Sequence, residues 1–254
     1  MRLTRCHIEA PLAVGALVPL TEAITTHLTR VLRLGPGARI VLFNGDGCDY
    51  EAELSSIERR GAVAEVLAST PVQRESPLPL VLAQAVARGE KMDWVLQKAT
   101  ELGATAFVPL LTERSEVKLD AERGGKRLAH WRAVIASACE QCGRARLPAI
   151  AAPLALADWL TAPARAALDE AHAARQLPLI YLDPEAEASI NQLPPEAQRG
   201  ACFVIGPEGG LGERDLAQLR GAGAIGLRLG PRVLRTETAG LALLAAMQAR
   251  YGDF

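Results

Sequence analysis

The chain reads as an α/β protein in three parts: a small strand-rich unit over residues 1–72, a linker over 73–79, and a larger domain over 80–254 with a mainly parallel sheet. Three features predict this division. Tyr50, Ala52 and Leu54 alternate with Asp49, Glu51 and Glu53 after the turn signal Asn44-Gly45-Asp46-Gly47, which is the period of a strand with one wet face. Pro71, Pro77 and Pro79 then break the pattern, because proline continues neither a helix interior nor a central strand. From Leu80 onward, short apolar runs alternate with helical periods, as strand-helix units around a parallel sheet require.

Within the first unit, Arg39 to Phe43 is a strand leading into that turn, and Ala62 to Leu67 is a third strand after the turn Arg59-Arg60-Gly61. A small barrel or curled sheet is the natural closure. Arg30 and Arg33 stand at i, i+3 spacing, which puts both on one face of a short helix. In the larger domain, Leu80 to Val86 predicts a buried strand. Lys91 to Leu102 predicts a helix buried through Met92, Val95, Leu96, Ala99 and Leu102, and Ala106 to Leu111 a second strand. A helix over Arg127 to Cys142, an exposed helix over the alanine-rich stretch Ala162 to Ala174, and a strand over Leu179 to Leu182 follow. The last quarter holds one arrangement twice: an apolar run (Ala201 to Ile205, then Ile225 to Leu229), a glycine-bearing loop, and an amphipathic helix.

Those two loops, Gly206-Pro207-Glu208-Gly209-Gly210 and Gly230-Pro231-Arg232-Val233-Leu234-Arg235-Thr236-Glu237-Thr238-Ala239, are the candidate site. Glycine admits close approach of a ligand to the main chain, and the first turn of each following helix offers N–H donors. A polar, nucleoside-like small molecule suits such a pair. Glu208 and Glu237 also have a simpler role open to them, as capping carboxylates, and Thr236 is both an N-cap candidate for the last helix and a hydroxyl partner for a ligand.

Composition excludes several classes. A net charge of −1 gives no global footprint of a strong nucleic-acid binder, although Arg144 with Arg146, and Arg228, Arg232 and Arg235, are locally bunched. Apolar stretches fall short of the roughly 20 residues of a membrane span, and Met1-Arg2-Leu3-Thr4-Arg5 lacks the apolar block of a signal peptide, so a cytoplasmic location is expected. The five cysteines fit reduced thiols. Cys139 and Cys142 have redox or zinc spacing, but a zinc site needs about four ligands, and His7, His27, His130 and His172 are scattered. No metal is expected, and two buried or half-buried thiols on one helical face explain the pair. Gly221-Ala222-Gly223-Ala224-Ile225-Gly226 has dinucleotide-motif spacing, yet it follows a helix and precedes a strand, the reverse of what that motif needs. A helix end turning into a strand accounts for it.

The two loops, together with Gln97-Lys98-Ala99-Thr100-Glu101-Leu102-Gly103, Thr112-Glu113-Arg114-Ser115, Glu140-Gln141 with Arg144, and His27 to Leu34, closely resemble the RsmE family. Its members use S-adenosylmethionine to methylate N3 of a uracil in small-subunit ribosomal RNA. The ordered blocks cover nearly the whole chain; Cys6 departs, standing where a phenylalanine is more usual. The resemblance implies a PUA-like β-barrel followed by a SPOUT α/β domain with a C-terminal trefoil knot, and a homodimer. It implies a cofactor pocket of Leu182, Gly206, Pro207, Glu208, Gly209, Gly210, Leu229, Gly230, Val233, Leu234, Arg235, Thr238 and Ala239. Arg235 leads the catalytic candidates, followed by Arg232 and Glu237. Arg5, Arg30, Arg33, Arg114, Gln141 and Arg144 are expected to face 16S ribosomal RNA or the small subunit. Two alternatives are a SPOUT enzyme acting on a ribose 2′-hydroxyl or another ring nitrogen, and a non-catalytic RNA-binding assembly factor.

Overall fold

The alternation that starts at Arg39 becomes strands β3 (Arg39–Phe43) and β4 (Cys48–Glu58), paired antiparallel with Ile40 opposite Ala52 and Leu42 opposite Tyr50. In this computed structural model, which describes residues 3–58, 61–117, 121–161 and 177–254, the intervening turn is built from its own side chains. Asn44 accepts from the Asp46 N–H, and Asp46 from the Cys48 N–H. Strand β5 (Gly61–Pro71) runs four residues past the expected Leu67, because pairing with β4 continues to Cys48 opposite Pro71. Two register shifts within that pair bend the ladder. With β1 (Arg5–His7) parallel to β3 and β2 (Leu17–Leu20) antiparallel to β5, the order is β1-β3-β4-β5-β2. Ile40, Leu42, Ala52, Leu54, Ala64 and Val66 fill the core of this curved sheet. The expected turn at Arg59 and Arg60 lies outside the described residues.

One local expectation fails here. Helix α1 (Glu22–Thr26), capped by the Thr21 hydroxyl, passes into a π-helical turn over His27–Val31, and Arg33 then adopts φ 56°. A left-handed Arg33 cannot continue the helix, so Arg30 and Arg33 do not share the helical face that their spacing predicted. Both are exposed.

Strand β6 (Leu80–Ala85) and strand β11 (Ala201–Ile205) are buried along their whole length, the pattern of a parallel sheet covered on both faces. They pair with each other, and β7 (Ala106–Leu111), β8 (Ala149–Ile150), β9 (Leu154–Ala155), β10 (Leu179–Leu182) and β12 (Ile225–Leu227) complete the sheet. The order is β12-β10-β11-β6-β7-β8, with β9 also on β7, and every pairing is parallel. Helix α2 (Lys91–Glu101) buries Met92, Val95, Leu96 and Ala99. Helix α3 covers Ala121–Cys142, α4 Leu156–Trp159, α5 Glu213–Gly221 and α6 Thr236–Tyr251. After α5, Gly223 turns at φ 75° and β12 begins at Ile225, so the glycine triplet is a helix end. The alanine-rich stretch expected as a helix, Ala162 to Ala174, lies outside the described residues.

Packing divides the chain into Met1–Glu75 with Ala136–Leu147, and Ser76–Ile135 with Pro148–Phe254. Sequence continuity alone hid that exchange: the last turns of α3 and the residues after it belong with the N-terminal sheet.

Candidate active site

Because β10, β11 and β12 are parallel neighbours, the loops leaving their carboxyl ends emerge at one edge of the sheet, where open α/β sheets hold ligands. The segments beginning at Asp183, Gly206 and Arg228 enclose a cleft of about 820 Å³. Its apolar wall comes from Leu182, Ile205, Leu211, Leu216, Leu227 and Leu229. Gly206 is required by space, since a Cβ there would lie 2.9 Å from the Leu211 nitrogen. Gly230, at φ 69°, is required by backbone conformation.

The second loop delivers Arg235 as the N-cap residue of α6, in extended conformation (φ −66°, ψ 153°) and without a side-chain capping bond. Thr236, expected as the N-cap, is instead the first helical residue. Its buried hydroxyl accepts from Gln84 Nε2 at 2.9 Å and donates to the Gly206 carbonyl at 2.6 Å. Arg228, Arg232 and Arg235 are exposed and form no ion pair among the described residues. Val233, between the last two, is 79% exposed.

Lys91, at the start of α2, lies between two acids of the cleft, 3.1 Å from Glu208 Oε1 and 3.6 Å from Glu237 Oε2. Burial pushes the Glu208 carboxyl up, but hydrogen bonds from its own N–H, from Lys91 and from the Arg88 N–H outweigh it and leave the group below its ordinary value. Glu237 Oε2 is buried without a hydrogen-bond partner among the described residues. Behind the first loop, the Glu113 N–H donates to the buried Asp215 carboxylate, and the Glu113 carboxylate accepts from the Arg214 N–H at 3.0 Å. Arg114 donates to the Gly209 carbonyl at 3.0 Å. The Thr112-Glu113-Arg114-Ser115 block therefore holds the loop in place.

Of the expected cofactor residues, Leu182, Gly206, Pro207, Glu208, Gly210, Leu229, Gly230, Val233, Leu234, Arg235 and Ala239 line the cleft, as do Arg232 and Glu237. Gly209 and Thr238 do not; a Cβ on Gly209 would point at Arg114. The residues expected to face RNA separate sharply. Arg30, Arg33 and Gln141 are exposed, and Arg114 lines the cleft. Arg5 and Arg144 must be corrected, because both are buried. The Arg5 side chain is 4% exposed, pairs with Asp49, donates to the Cys139 and Arg144 carbonyls, and stacks over Phe43. That of Arg144 is 6% exposed and pairs with Glu75. They tie the end of α3 to the N-terminal sheet.

Lys91 and Gln84 are among the residues that sequence reasoning missed, as are Asp183, Glu185 and Glu213 of the cleft lining. Lys91 and Glu208 are 117 positions apart, and a lysine opening a helix carries no local sign of that contact. Cys139 and Cys142 are free thiols; hydrogen bonding to Cys142 and then burial push the Cys139 thiol up, as suits an inert pair. Among the described residues, no group of three His, Cys, Asp or Glu side chains could hold a metal ion.

Similarity to family models and to solved structures places this fold among RNA methyltransferases of the SPOUT, trefoil-knot class, preceded by a PUA-like unit. Residues 74–248 match the RNA methyltransferase domain family and residues 20–67 the RNA methyltransferase PUA domain family. The ribosomal RNA small subunit methyltransferase E of Buchnera aphidicola (subsp. Schizaphis graminum) is 30% identical over 252 residues, 99% of this chain and 98% of that one. Its namesake from Mycobacterium bovis is 34% identical over 87% of this chain and 82% of its own. The crystal structure of the Neisseria gonorrhoeae ribosomal RNA small subunit methyltransferase E, bound to S-adenosylmethionine, is 35% identical with a TM-score of 0.85 over the whole of both chains. Lpg2936 of Legionella pneumophila, also solved with that cofactor, is 35% identical with a TM-score of 0.88, again over the whole of both chains. The chain belongs to the ribosomal RNA small subunit methyltransferase E family.

Proposed function

We propose that this protein methylates N3 of a specific uridine in the decoding region of 16S ribosomal RNA, with S-adenosylmethionine as donor and without a metal. The observation that carries the reading is the cleft at the ends of β10, β11 and β12, where an apolar wall and a glycine cradle meet the exposed Arg228, Arg232 and Arg235, which form no ion pair among the described residues. Its volume suits a ligand of nucleoside size. Leu182, Gly206, Pro207, Gly210, Leu229, Gly230, Val233, Leu234 and Ala239 would hold the donor, whose sulfonium supplies an electrophilic methyl group.

What remains for the protein is to prepare the nucleophile. N3 of uracil carries a proton and lies between two carbonyls, so it attacks as the anion, and in a duplex it is occupied by pairing. The base is therefore presented out of the stack. Arg235, with no competing ion pair among the described residues, stabilises the charge spread over N3 and its flanking oxygens, and Arg232 assists in binding the RNA. Glu237 takes the proton. Its Oε2 accepts no hydrogen bond among the described residues and has only the longer ion pair to Lys91 at 3.6 Å, whereas Glu208 accepts from both Lys91 and the Arg88 N–H. Arg30, Arg33, Arg114 and Gln141 contact RNA. The enzyme works as a cytoplasmic homodimer; among the described residues no helix is long and apolar enough to cross a membrane.

Reverse transcription through 16S ribosomal RNA from cells with and without the protein tests this reading. N3 methylation blocks base pairing and predicts a stop one nucleotide before a uridine, present only with the protein. A ribose 2′-O-methyl group leaves pairing intact. The absence of any protein-dependent stop, with a protein-dependent 2′-O-methyl instead, would overturn the acceptor assignment.

A further inference from the structure

Gln84 is a fully buried amide in the middle of the parallel sheet, on β6, where the neighbouring positions of β11 and β7 are Ile205 and Pro109. Its Nε2 donates to the Ala85 carbonyl at 3.1 Å and to the Thr236 hydroxyl at 2.9 Å. A carbonyl only accepts, so the Ala85 contact fixes which end of the amide is the NH2. Direction then propagates. Thr236 accepts from Gln84 and must send its own proton onward, to the Gly206 carbonyl at 2.6 Å. Gln84 Oε1 is buried with no hydrogen-bond partner among the described residues, 3.5 Å from where a Cβ on Gly240 would stand. A leucine would fill this place without an unsatisfied carbonyl, so fold stability alone does not account for the amide.

We infer that the Gln84–Thr236–Gly206 relay is the latch joining the two ligand loops, and that Gln84 is a positioning residue for cofactor binding. Gly206 opens the first loop, and Thr236 directly follows Arg235, the last residue of the second. One hydroxyl thus sets the distance between the carbonyl under the first loop and the backbone that carries Arg235. The effect of the latch on ligand rests on the reading of the cleft as an S-adenosylmethionine site.

The test compares Gln84→Leu, Thr236→Val and Thr236→Ser with the wild type. Gln84→Leu and Thr236→Val should each weaken S-adenosylmethionine binding about tenfold or more by calorimetry, while Gln84→Leu melts at the wild-type temperature or above. Thr236→Ser, which keeps the hydroxyl, should bind within about threefold of wild type. A purely structural role does not lower affinity while preserving stability. Amide exchange without ligand is read in parallel. The Gly210 N–H, bonded to Pro207, and the Ala239 N–H, bonded to Arg235, should exchange at least fivefold faster in Thr236→Val. Wild-type exchange rates in a folded Thr236→Val protein overturn the latch whatever the ligand proves to be. Wild-type affinity in that variant overturns its role in binding. Wild-type protein that binds no S-adenosylmethionine, with exchange still accelerated in the variant, overturns the reading of the cleft and leaves the latch standing. Should Gln84→Leu not fold, Thr236→Val carries both measurements.

Discussion

Arg5 and Arg235 belong to different units and are used in opposite ways. Arg5 has a carboxylate, two main-chain carbonyls and an aromatic face around one guanidinium that solvent scarcely reaches. Arg235 stands exposed at the mouth of a cleft, with no ion pair among the described residues and no side-chain cap on its helix. The N-terminal unit uses its buried Arg5 and Arg144 to fasten the end of α3 to a sheet, so under the proposed function only its surface arginines would be available to RNA. The C-terminal unit spends backbone geometry, in glycines and a buried hydroxyl, to leave cations free. An arginine in a motif is therefore informative about chemistry only once its partners are counted.

That contrast predicts where each substitution is felt. Arg5→Ala should cost the fold most, about 3 kcal/mol, because it removes the buried cation that pairs with Asp49 and donates to the Cys139 and Arg144 carbonyls. Urea unfolding measures it; unchanged stability together with weakened RNA binding would return Arg5 to the RNA face. Arg235→Ala should slow single-turnover methyl transfer by about a hundredfold, the scale of a lost oxyanion-type donor, with stability and cofactor affinity preserved. A rate within about twofold of wild type would move the role to Arg232. Arg30→Ala combined with Arg33→Ala should flatten the log-log salt dependence of RNA binding by roughly one to two units without changing cofactor affinity. Since the two side chains do not share a helical face, each single variant should account for about half; an all-or-none effect from one would single it out.

The smallest effect sharpens the comparison on the acidic side. Glu208 should titrate below the ordinary 4.5. Its lowered value contributes stability that is present above the unfolded-state value and is lost as pH falls through the folded one. Lys91→Met removes a donor and a nearby positive charge but leaves the burial, so the midpoint should rise. Carbon-detected NMR titration of the carboxyl reads both, and an unmoved midpoint would show that the two N–H groups suffice.

Much of this was legible in the sequence where the cause is local. The hairpin of β3 and β4 follows from alternation and an Asn-Gly turn, and β6, β7, β10 and β11 from short, largely apolar runs. The two loops were visible because glycines and arginines cluster there. What escaped depends on partners distant along the chain. The burial of Arg5 depends on carbonyls 134 and 139 positions away, and the Gln84 contact with Thr236 spans 152. Nothing near Gln84 distinguishes it from a polar residue ending an edge strand. The π-helical turn after α1 and the left-handed Arg33 also break a spacing rule that assumes a regular helix.

The most direct test of the central claim supplies the purified protein with S-adenosylmethionine carrying an isotope-labelled methyl group and with small-subunit RNA or subunits from cells that lack the protein. Mass spectrometry of the digested RNA then reads both the position and the chemical form of the label. The account predicts one labelled nucleoside, N3-methyluridine from a single site, formed in the presence of a chelator and slowed about a hundredfold by Arg235→Ala. Label on a ribose oxygen or another ring nitrogen, or N3-methyluridine formed at the wild-type rate by Arg235→Ala, would contradict it.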